Sequence, residues 1–417
     1  MSSTLTLDDV YLDNDAFAER VPHETFKLLR DEAPVHWYDW EHGRGFWCIT
    51  RYDDVVAVMK DWRTFSSETG ATALEDLDPD QIEARKSMLD TDPPKHSSLR
   101  AIVNKGFTPR AVAAYEDLLR TLTRQILDES LPKGEFDFVE EVAKQLPIQV
   151  LCRILGVPLE DDEQLIEWGD KMIGNTDPDL GGLHPASPES AKYRLYPFRS
   201  PFAMEVFNYG HRIAAERRKD PRDDLVSKLV MWEDEDGNRL TEREFDTMFL
   251  LLVVAGNETT RQSIAHGMQV LMENPQVIDR LREDPELMTT ATEEIMRWAS
   301  PVIHFRRTAT SDVEMHGAQI RQGDKVVVWL ISGNYDERQF PDPLTFDVTR
   351  KPNNHITFGR GGPHFCLGAH LAKLETRIMF EELLPRVKTV EPTGPARRMH
   401  SNFTNAYKSM PVRVETA

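Results

Sequence analysis

One cysteine of the sequence stands in a loop that could hold a metal. Cys366 lies in the run Phe-Gly-Arg-Gly-Gly-Pro-His-Phe-Cys-Leu-Gly of residues 358–368, ahead of a helical pattern that reaches about Leu384. Glycines allow a backbone to pass close to a flat ligand. The unpaired N–H groups and the dipole of a helix N-terminus favour a thiolate, which is the form of cysteine that binds metals. The alternative is a glycine-rich turn with a buried structural cysteine.

A second segment carries polar residues within an apolar helical pattern. Thr241 and Glu244 form a capping box at its start, and Asn274-Pro275 ends it. Its middle reads Ala-Gly-Asn-Glu-Thr-Thr at residues 255–260. A glycine inside a helix costs about 1 kcal/mol relative to alanine, and a buried acid needs a partner. Such conflicts are expected at functional sites, and a close helix crossing that requires a small residue is the alternative.

Several charged residues are further candidates. Three could form a network with one another: Glu294, Arg297 and Arg350. Others could bind carboxylates, because arginine does so with two parallel hydrogen bonds: His96, Arg100 and Arg307. Taken singly, each of them is also explained as a solvated charge. The pair at positions 294 and 297 could equally be a surface ion pair worth about 0.2–0.5 kcal/mol.

Together these motifs resemble those of the cytochrome P-450 superfamily of haem-thiolate monooxygenases, and the resemblance covers nearly the whole chain. In that family a Phe-x-x-Gly-x-(His/Arg)-x-Cys-x-Gly loop supplies the axial ligand of haem b. The resemblance implies that Cys366 binds the iron, that Phe358 packs near the sulfur and that His364 contacts a haem propionate. The span from Phe to Cys is one residue longer here than in the commonest pattern, which resembles a bacterial subgroup acting on steroids and methyl-branched lipids.

The resemblance also gives a role to the polar segment of the long helix. It is similar to the family's (Ala/Gly)-Gly-x-(Asp/Glu)-Thr-Thr oxygen-binding segment, with Glu in place of the frequent Asp. Thr259 is then expected to bond the Ala255 carbonyl oxygen and open a groove for dioxygen, with Ala255 and Gly256 next to the cofactor. Glu258 and Thr259 are expected to act as the catalytic residues that relay protons.

For the charged residues, the resemblance implies two groups. The haem propionates are expected to be bound by His96, Arg100, Arg307 and His364. Arg306 is a poorer candidate than its neighbour, because strand alternation turns the two side chains to opposite faces. A buried structural network behind the haem loop is expected from Glu294, Arg297 and Arg350.

The implied reaction is insertion of one oxygen atom of O2 into a C–H bond, with the cofactor performing the chemistry. The substrate pocket is expected to be lined by Leu252, Ala255, Thr259, Ile303, Phe305, Phe403 and Thr404. Because these residues are mostly apolar, the substrate is expected to be a hydrophobic small molecule such as a steroid, a terpenoid or a fatty-acid-like compound. Residues 66–90 and 174–201 are candidate lids.

Electrons are expected to come from separate proteins, because no flavin or iron–sulfur motif follows the haem region. The resemblance implies an iron–sulfur ferredoxin and its NAD(P)H reductase. A basic docking patch is predicted from Lys105, Arg110, Arg360, Lys373 and Arg377, with scattered surface charge as the alternative. Two other functions stay open. One is a peroxide-using haem-thiolate enzyme, which the Glu258–Thr259 pair disfavours, and the other is a non-catalytic haem-binding or lipid-binding protein.

Composition excludes several classes of protein. The net charge of −20 at pH 7 opposes binding to nucleic acid. The longest apolar run, residues 248–255, is far shorter than the roughly 20 residues of a membrane span. The acidic N-terminus does not resemble a secretory signal, and the three scattered cysteines fit a reducing compartment. We therefore expect a cytoplasmic protein without a membrane span.

The expected fold is mainly α with a minor β portion, in a single domain over residues 1–417. The resemblance places the haem between the long helix 241–274 and the helix that follows Cys366. A hairpin is predicted from strands at 35–40 and 45–50, and further short strands at 303–310, 313–315 and 325–331. Because strand patterns occur near both ends of the sequence, the sheet should join distant segments. Residues 66–90 are expected to form a long mobile loop.

Overall fold

Helices dominate the structure, as the sequence predicts. The computed structural model describes residues 5–184 and 187–417, and 53% of the chain is helical with a minor portion of strand. Residues 185 and 186 of the candidate lid 174–201 lie outside the described part. Within that part, no helix is long and apolar enough to cross a membrane. The predicted fold class, mainly α with a minor β portion, is confirmed.

The described helices and strands are numbered in chain order. The helices are α1 (Asn14–Phe17), α2 (His23–Glu32), α3 (Tyr52–Lys60), α4 (Pro79–Arg85), α5 (Lys95–Asn104), α6 (Pro109–Ala113), α7 (Glu116–Ser130), α8 (Gln145–Leu155), α9 (Asp162–Ile173), α10 (Pro201–Lys219), α11 (Leu225–Met231), α12 (Glu242–Glu273), α13 (Pro275–Glu283), α14 (Met288–Ala299), α15 (Leu330–Asn334) and α16 (Ala369–Leu383). The strands are β1 (Val35–Tyr38), β2 (Phe46–Ile49), β3 (Phe65–Ser66), β4 (Glu135–Asp137), β5 (His304–Ala309), β6 (Val313–Met315), β7 (Ala318–Ile320), β8 (Lys325–Trp329), β9 (Val387–Pro392), β10 (Arg397–Arg398), β11 (Tyr407–Ser409) and β12 (Pro411–Thr416).

The largest described sheet joins the two ends of the sequence. Its strand order is β1-β2-β8-β5-β3. The first two strands form the predicted antiparallel hairpin, with Tyr38 opposite Phe46. Strand β2 then runs parallel to β8, with Cys48 opposite Val327. This pairing confirms that the sheet connects distant segments of the chain. It also brings β5, which contains the predicted site residues Phe305 and Arg307, into the same sheet.

Two predicted segments differ from the structure. The strand expected at 325–331 ends at Trp329, where the short helix α15 begins, because a short apolar run does not distinguish strand from helix. The loop expected at 66–90 contains α4 and a 3₁₀ turn. Asp78 caps α4 through a capping box with Gln81, and Pro79 stands in its first turn. These residues are a helix-start signal that the weak periodicity obscured.

The longest helix, α12, crosses the helical part of the molecule. It has 32 residues, and its predicted capping box is present, with the Thr241 N–H donating to Glu244 at 2.8 Å. It packs against α8, α9, α10, α14 and α16. A Cβ on Gly267 would lie 2.7 Å from Phe380 of α16, so a glycine is required for this close approach. Contacts on several sides fix the rotation of α12 and thereby the direction of residues 255–260.

A buried carboxylate anchors the irregular chain that precedes Cys366. Glu294 of α14 accepts two hydrogen bonds of 2.8 Å from Arg297. It also accepts hydrogen bonds from Arg350, at 3.1 and 3.2 Å, and from Asn353 at 3.0 Å. The side chains of Glu294 and Arg297 are inaccessible to solvent. The three residues predicted to form a buried network are therefore in contact, and they hold the following chain against α14.

Replacing Glu294 with glutamine should destabilise the protein by about 3–5 kcal/mol, because two guanidinium groups lose their counter-charge in a dry environment. Glu293→Gln is the matched control. Glu293 binds His355 and Lys373 at 2.9 and 2.8 Å from a half-buried position, so its loss should cost about 1 kcal/mol or less. Denaturant unfolding of the two variants measures the difference. Equal losses would show that the network is not a special anchor.

Candidate active site

The glycine-rich loop turns sharply before Cys366. The N–H of Cys366 donates to the carbonyl oxygen of Phe358 at 2.8 Å. Gly359 has a φ of +74°, which lies in the left-handed region that favours glycine. A Cβ on Gly362 would lie 2.1 Å from the carbonyl oxygen of Met59. The glycines are therefore required by the turn and by its packing against α3.

Cys366 differs from the other two cysteines in its access to solvent. Cys366 is exposed, whereas Cys48 and Cys152 are buried, and burial raises the pKa of each buried thiol to about 12. Surrounding protein atoms also desolvate the Cys366 thiol and raise its pKa, while the N–H of Gly368 and the charge of Arg100 lower it. The helix terminus lowers the pKa of Cys366, as expected, but desolvation raises that pKa by more. A bound metal ion would supply the remaining stabilisation, because it deprotonates the thiol that coordinates it.

The residues predicted to bind carboxylates lie close together. His96 and His364 pack with their ring centroids 4.1 Å apart. Burial, together with the charges of Arg307, His96 and Arg100, lowers the pKa of His364 to about 2. The side chain of Arg307 is buried and donates to the carbonyl oxygen of Arg306 at 2.7 Å. Within residues 5–184 and 187–417, neither Arg100 nor Arg307 forms an ion pair.

His96 already has backbone neighbours at both ring nitrogens. Its Nδ1 lies 2.9 Å from the carbonyl oxygen of Met88, and its Nε2 lies 2.9 Å from the carbonyl oxygen of Pro363. The ring therefore ties α5 to the glycine-rich loop. To bind a propionate, it would have to release the Pro363 oxygen. The role of His96 as a propionate partner stays a prediction, and the structure adds a contact that positions the loop.

Thr259 makes the predicted contact within α12. Its Oγ1 donates to the carbonyl oxygen of Ala255 at 3.1 Å, and Ala255 is exposed where the helix borders a cavity. Gly256 has a different explanation. A Cβ at this residue would lie 2.8 Å from Leu151 of α8. The close helix crossing therefore accounts for the missing side chain of Gly256, and its place next to the cofactor stays a prediction.

Glu258 is buried but not unpaired. It accepts a hydrogen bond from Gln262 at 2.9 Å and forms an ion pair with Arg261. Arg261 also donates to Asp170 of α9 at 2.5 Å. These partners compensate for the desolvation of a carboxylate in the protein interior. They also connect the polar segment of α12 to α9, which leads into the candidate lid 174–201.

The exposed side of residues 255–260 borders a cavity of about 500 Å³. The predicted lining residues that stand in its wall are Ala255, Thr259, Phe305, Phe403 and Thr404. Leu252 and Ile303 are not among its wall residues, and both are buried in hydrophobic core clusters. On α12, Leu251 and Val254 line the cavity. The predicted face, which included Leu252, was therefore wrong by about one residue around the helix axis. Before β5, Ile303 turns towards the core that contains Trp329.

Several wall residues were missed by the sequence analysis. The apolar ones include Leu251, Val254 and Val302, and the polar ones include His304. Two steps of four residues back from Thr259, through Ala255, reach Leu251, and Val254 follows Leu251 by three residues on the same face. Both candidate lids also contribute, through Asp90 and Phe198 among others. No periodic signal in those lids indicates which side chains turn inward.

Two buried cations hold residues 70–77, which line the cavity. Arg306 donates to the carbonyl oxygens of Ala73 and Glu75 at 3.0 and 2.9 Å. Lys325 donates to the carbonyl oxygen of Leu74 at 2.9 Å, and burial lowers the pKa of Lys325 to about 8. This part of the expected mobile loop is therefore anchored. Because Arg306 binds this segment, its side chain lies on the face of β5 opposite to that of Arg307.

A comparison with protein families identifies the architecture. Residues 16–409 match the family model described as Cytochrome P450. The chain belongs to the cytochrome P450 family. A steroid C26-monooxygenase of Mycolicibacterium smegmatis is 36% identical over 409 residues, which cover 95% of this chain and 92% of that protein. A methyl-branched lipid omega-hydroxylase of Mycobacterium tuberculosis is 39% identical over 411 residues, which cover 96% and 93%.

Solved P450 structures share the fold. Cytochrome P450 CYP268A2 of Mycobacterium marinum, in complex with pseudoionone, superposes with a TM-score of 0.88 at 38% identity, covering 99% of this chain and 100% of that one. CYP109E1 of Bacillus megaterium, in complex with testosterone, gives 0.82 at 33% identity, covering 94% and 97%. The predicted P450 fold and the predicted class of enzyme, a P450 monooxygenase, are confirmed.

The cofactor of this P450 is haem, iron protoporphyrin IX. The residues present fit that group. Cys366 is the one cysteine of the three with an exposed side chain, which suits a thiolate ligand of iron. Arg100 and Arg307 are cations that form no ion pair in the described part of the chain, although Asp90 and Asp92 lie near enough to Arg307 to act on its charge. Such cations suit two propionate groups.

Replacing Cys366 with serine should abolish the strongly red-shifted Soret band of the ferrous carbon-monoxide complex, because that band requires a thiolate ligand. The helical fold should remain, since the thiol makes no core contact. Cys48→Ser and Cys152→Ser are the controls, and both should keep the band. Absorbance spectra of the three variants decide the assignment. Loss of the band in either control alone would transfer the ligand role away from Cys366.

Proposed function

We propose that this P450 inserts one oxygen atom of O2 into a C–H bond of a steroid, terpenoid or branched-lipid molecule. Electrons come from a separate iron–sulfur ferredoxin and its NAD(P)H reductase. The observation that carries the proposal is the part of the cavity beside α12, where Thr259 stands near the apolar side chains of Leu251, Val254 and Phe305. The names of the two relatives, and the pseudoionone and testosterone bound in the two solved structures, support the same class of substrate.

The cavity sets the substrate class by size and polarity. A volume of about 500 Å³ lies within the usual range for small-molecule sites, which bury most of their ligand against apolar walls. The walls nearest to α12 come from Leu250, Leu251, Val254, Phe305 and Phe403. A compact ring system or a methyl-branched chain fills the apolar part of the cavity beside α12, whereas a sugar placed there would leave hydroxyl groups without partners.

The residues near Cys366 have the chemistry to hold the cofactor. Cys366 would ligate the iron, and Arg100, Arg307 and His364 would bind the propionates through charge-assisted hydrogen bonds. His96 would join them if it released Pro363. Once bound, a haem with a thiolate ligand supplies the activation of dioxygen and the transfer of oxygen to the substrate.

Thr259 and Glu258 would control the protons that dioxygen reduction consumes. The Thr259 hydroxyl is held at a fixed position by the Ala255 carbonyl oxygen, so it can donate a hydrogen bond on the cavity side only by rotating away from that oxygen. Glu258 also reaches the cavity wall, where it is paired with Arg261. It would supply protons by exchange with water that enters from the α9 side.

The electron donor would dock near the glycine-rich loop. Phe365 is 40% exposed beside Cys366. Three cations of the predicted patch are also exposed: Lys105, Arg110 and Arg360. Two members of the predicted patch are already paired, since Lys373 binds Glu293 at 2.8 Å and Arg377 lies 3.4 Å from Glu116. The proposed patch is therefore smaller than predicted, with an apolar centre and a basic rim suited to an acidic ferredoxin surface.

One labelling experiment distinguishes the proposed monooxygenase from its two alternatives. A peroxide-using enzyme needs neither reductant nor a proton relay, and a non-catalytic binding protein forms no product. The buried Glu258, which is retained at the cost of desolvation, favours the route through dioxygen. Isotope-labelled dioxygen resolves the three, because one labelled atom enters the product by this route and none by the others.

The substrate proposal predicts the outcome of a ligand screen. Steroids, terpenoids and methyl-branched lipids should displace the water ligand of ferric haem and shift it from low to high spin, because an apolar ligand filling the cavity excludes water. Glucose and short dicarboxylates serve as controls and should give no shift. Absorbance titrations measure both groups. Tight binding confined to the small charged or sugar-like molecules would refute the assigned substrate class.

Replacing Thr259 with alanine should uncouple the reaction. The variant should bind haem and substrate and consume reductant, but release hydrogen peroxide in place of much of its product, because the hydroxyl no longer delivers a proton. Glu258→Gln should instead slow turnover by about 100-fold. Thr260→Ala is the control, since Thr260 is buried and does not line the cavity. The measurement is product formed per reductant consumed, and an unchanged ratio in Thr259→Ala would falsify its role.

A further inference from the structure

His211 of α10 lies where that helix packs closely against the beginning of α12. A Cβ on Gly210 would lie 2.8 Å from Phe249 of α12, so the glycine allows the two helices to approach each other. The ring of His211 stacks on Phe245, with 6.4 Å between the ring centroids and 27° between the planes. These contacts orient the imidazole towards the first turns of α12.

Two carboxylates of α12 lie next to the same imidazole. Glu242 and Asp246 are four residues apart and therefore share one face of the helix. The Nε2 of His211 lies 2.6 Å from the Oδ1 of Asp246 and 3.9 Å from a carboxylate oxygen of Glu242. One ligand atom from each residue lies within 4.8 Å of the other two. A single ion can therefore contact all three after small side-chain rotations.

Asp246 is the buried member of this cluster, and its Oδ1 accepts no hydrogen bond. The residue is only 5% exposed. The N–H of the nearby His211 ring does not point at the oxygen, and neither atom has a hydrogen-bond partner in the part of the chain that the structure describes. A protonated His211 would compensate the charge but would still leave the oxygen without a hydrogen bond. Because buried carboxylates are hydrogen-bonded, paired or bound to a metal, this oxygen indicates a missing cation.

The cluster is open to solvent on one side. The side chain of Glu242 is 82% exposed and that of His211 is 39% exposed. An ion can therefore reach Asp246 from the surface, by moving these two side chains and without crossing the core. None of the three residues stands in the wall of the cavity beside α12, so the cluster is separate from the proposed substrate site.

The types of ligand indicate which metal fits. One imidazole and two carboxylates are ligands that zinc commonly takes in proteins, whereas Mg²⁺ and Ca²⁺ prefer ligand sets made of oxygen alone. The geometry agrees, because two ligands of one ion stand side by side around it. An oxygen displaced from the N–H axis of an imidazole is poorly placed for a hydrogen bond but well placed to share a metal ion with that nitrogen.

We propose that His211, Glu242 and Asp246 bind a Zn²⁺ ion that links α10 to α12. The ion compensates the buried charge of Asp246, and water completes its coordination on the exposed side. It fastens the beginning of α12 to α10, the helix that follows the candidate lid 174–201. The site does not depend on the proposed substrate or on the oxygen chemistry.

Zinc uptake by the haem-loaded full chain, without a histidine tag, tests the proposal. Bound haem keeps Cys366, the proposed iron ligand, from competing for zinc. Equilibrium dialysis over a series of free Zn²⁺ concentrations, followed by elemental mass spectrometry, gives the affinity and the amount of zinc per haem iron. The wild type should bind one zinc per haem, and excess Mg²⁺ should not displace it.

His211→Ala and Asp246→Asn should each weaken zinc binding by about 100-fold. The first removes a ligand, and the second keeps the shape of the buried side chain while removing its charge. His316→Ala is the matched control, because His316 is a surface histidine that lies 2.9 Å from a single acid, Asp54. It should bind zinc as the wild type does.

Four results would overturn the proposal. They are a wild type that takes up no zinc, uptake that survives both His211→Ala and Asp246→Asn, displacement of the zinc by Mg²⁺, and equal loss of uptake in His316→Ala. A second cluster, at Asp13, Glu41 and His42, could also hold an ion. Loss of zinc in His42→Ala but not in His211→Ala would assign the ion to that cluster and refute the site on α10 and α12.

Discussion

The site depends on one buried carboxylate. Between the end of α15 and the start of α16, residues 335–368 contain no helix or strand in the described structure, yet this stretch includes Cys366, the proposed ligand of the haem iron. Without regular backbone pairing, its position is set by side chains. Glu294 holds Arg350 and Asn353, and the Oδ1 of Asn334 accepts from the N–H of Ile356 at 2.7 Å. The cost of burying these groups is offset only when all of them are paired.

The central helix combines packing and chemistry at adjacent residues. Gly256 allows α8 to approach, because Leu151 occupies the space that a side chain would need. The neighbouring residues, Ala255 and Thr259, face the cavity and share the hydrogen bond that weakens the helical ladder. A single turn therefore serves a helix crossing on one side and the proposed oxygen chemistry on the other. The low helix propensity of Gly256 is offset by the close packing of α12 against α8.

The cavity wall opposite α12 is made of loops, and buried cations give these loops a defined shape. Arg306 and Lys325 bind three carbonyl oxygens of residues 73–75. A buried loop otherwise leaves its backbone groups unpaired, so the two side chains replace the partners that a sheet would provide. This arrangement lets the wall be irregular, and an irregular wall can carry a residue such as His304 at a place that no regular element would fix.

The sequence by itself determined the family, the cysteine motif, the limits of α12 and the network around Glu294. Each depends on residues a few positions apart, whose contacts follow from helix geometry and capping, or on a motif long enough to be specific. Tertiary structure alone decided which side chains reach the cavity. Leu252 and Ile303 pack in the core, and His304 lines the wall, because the rotation of α12 and the facing of β5 are set by contacts with distant elements. It also decided that desolvation by surrounding protein atoms outweighs the helix terminus in setting the pKa of Cys366, since the whole fold, and not the local sequence, determines which atoms surround the thiol.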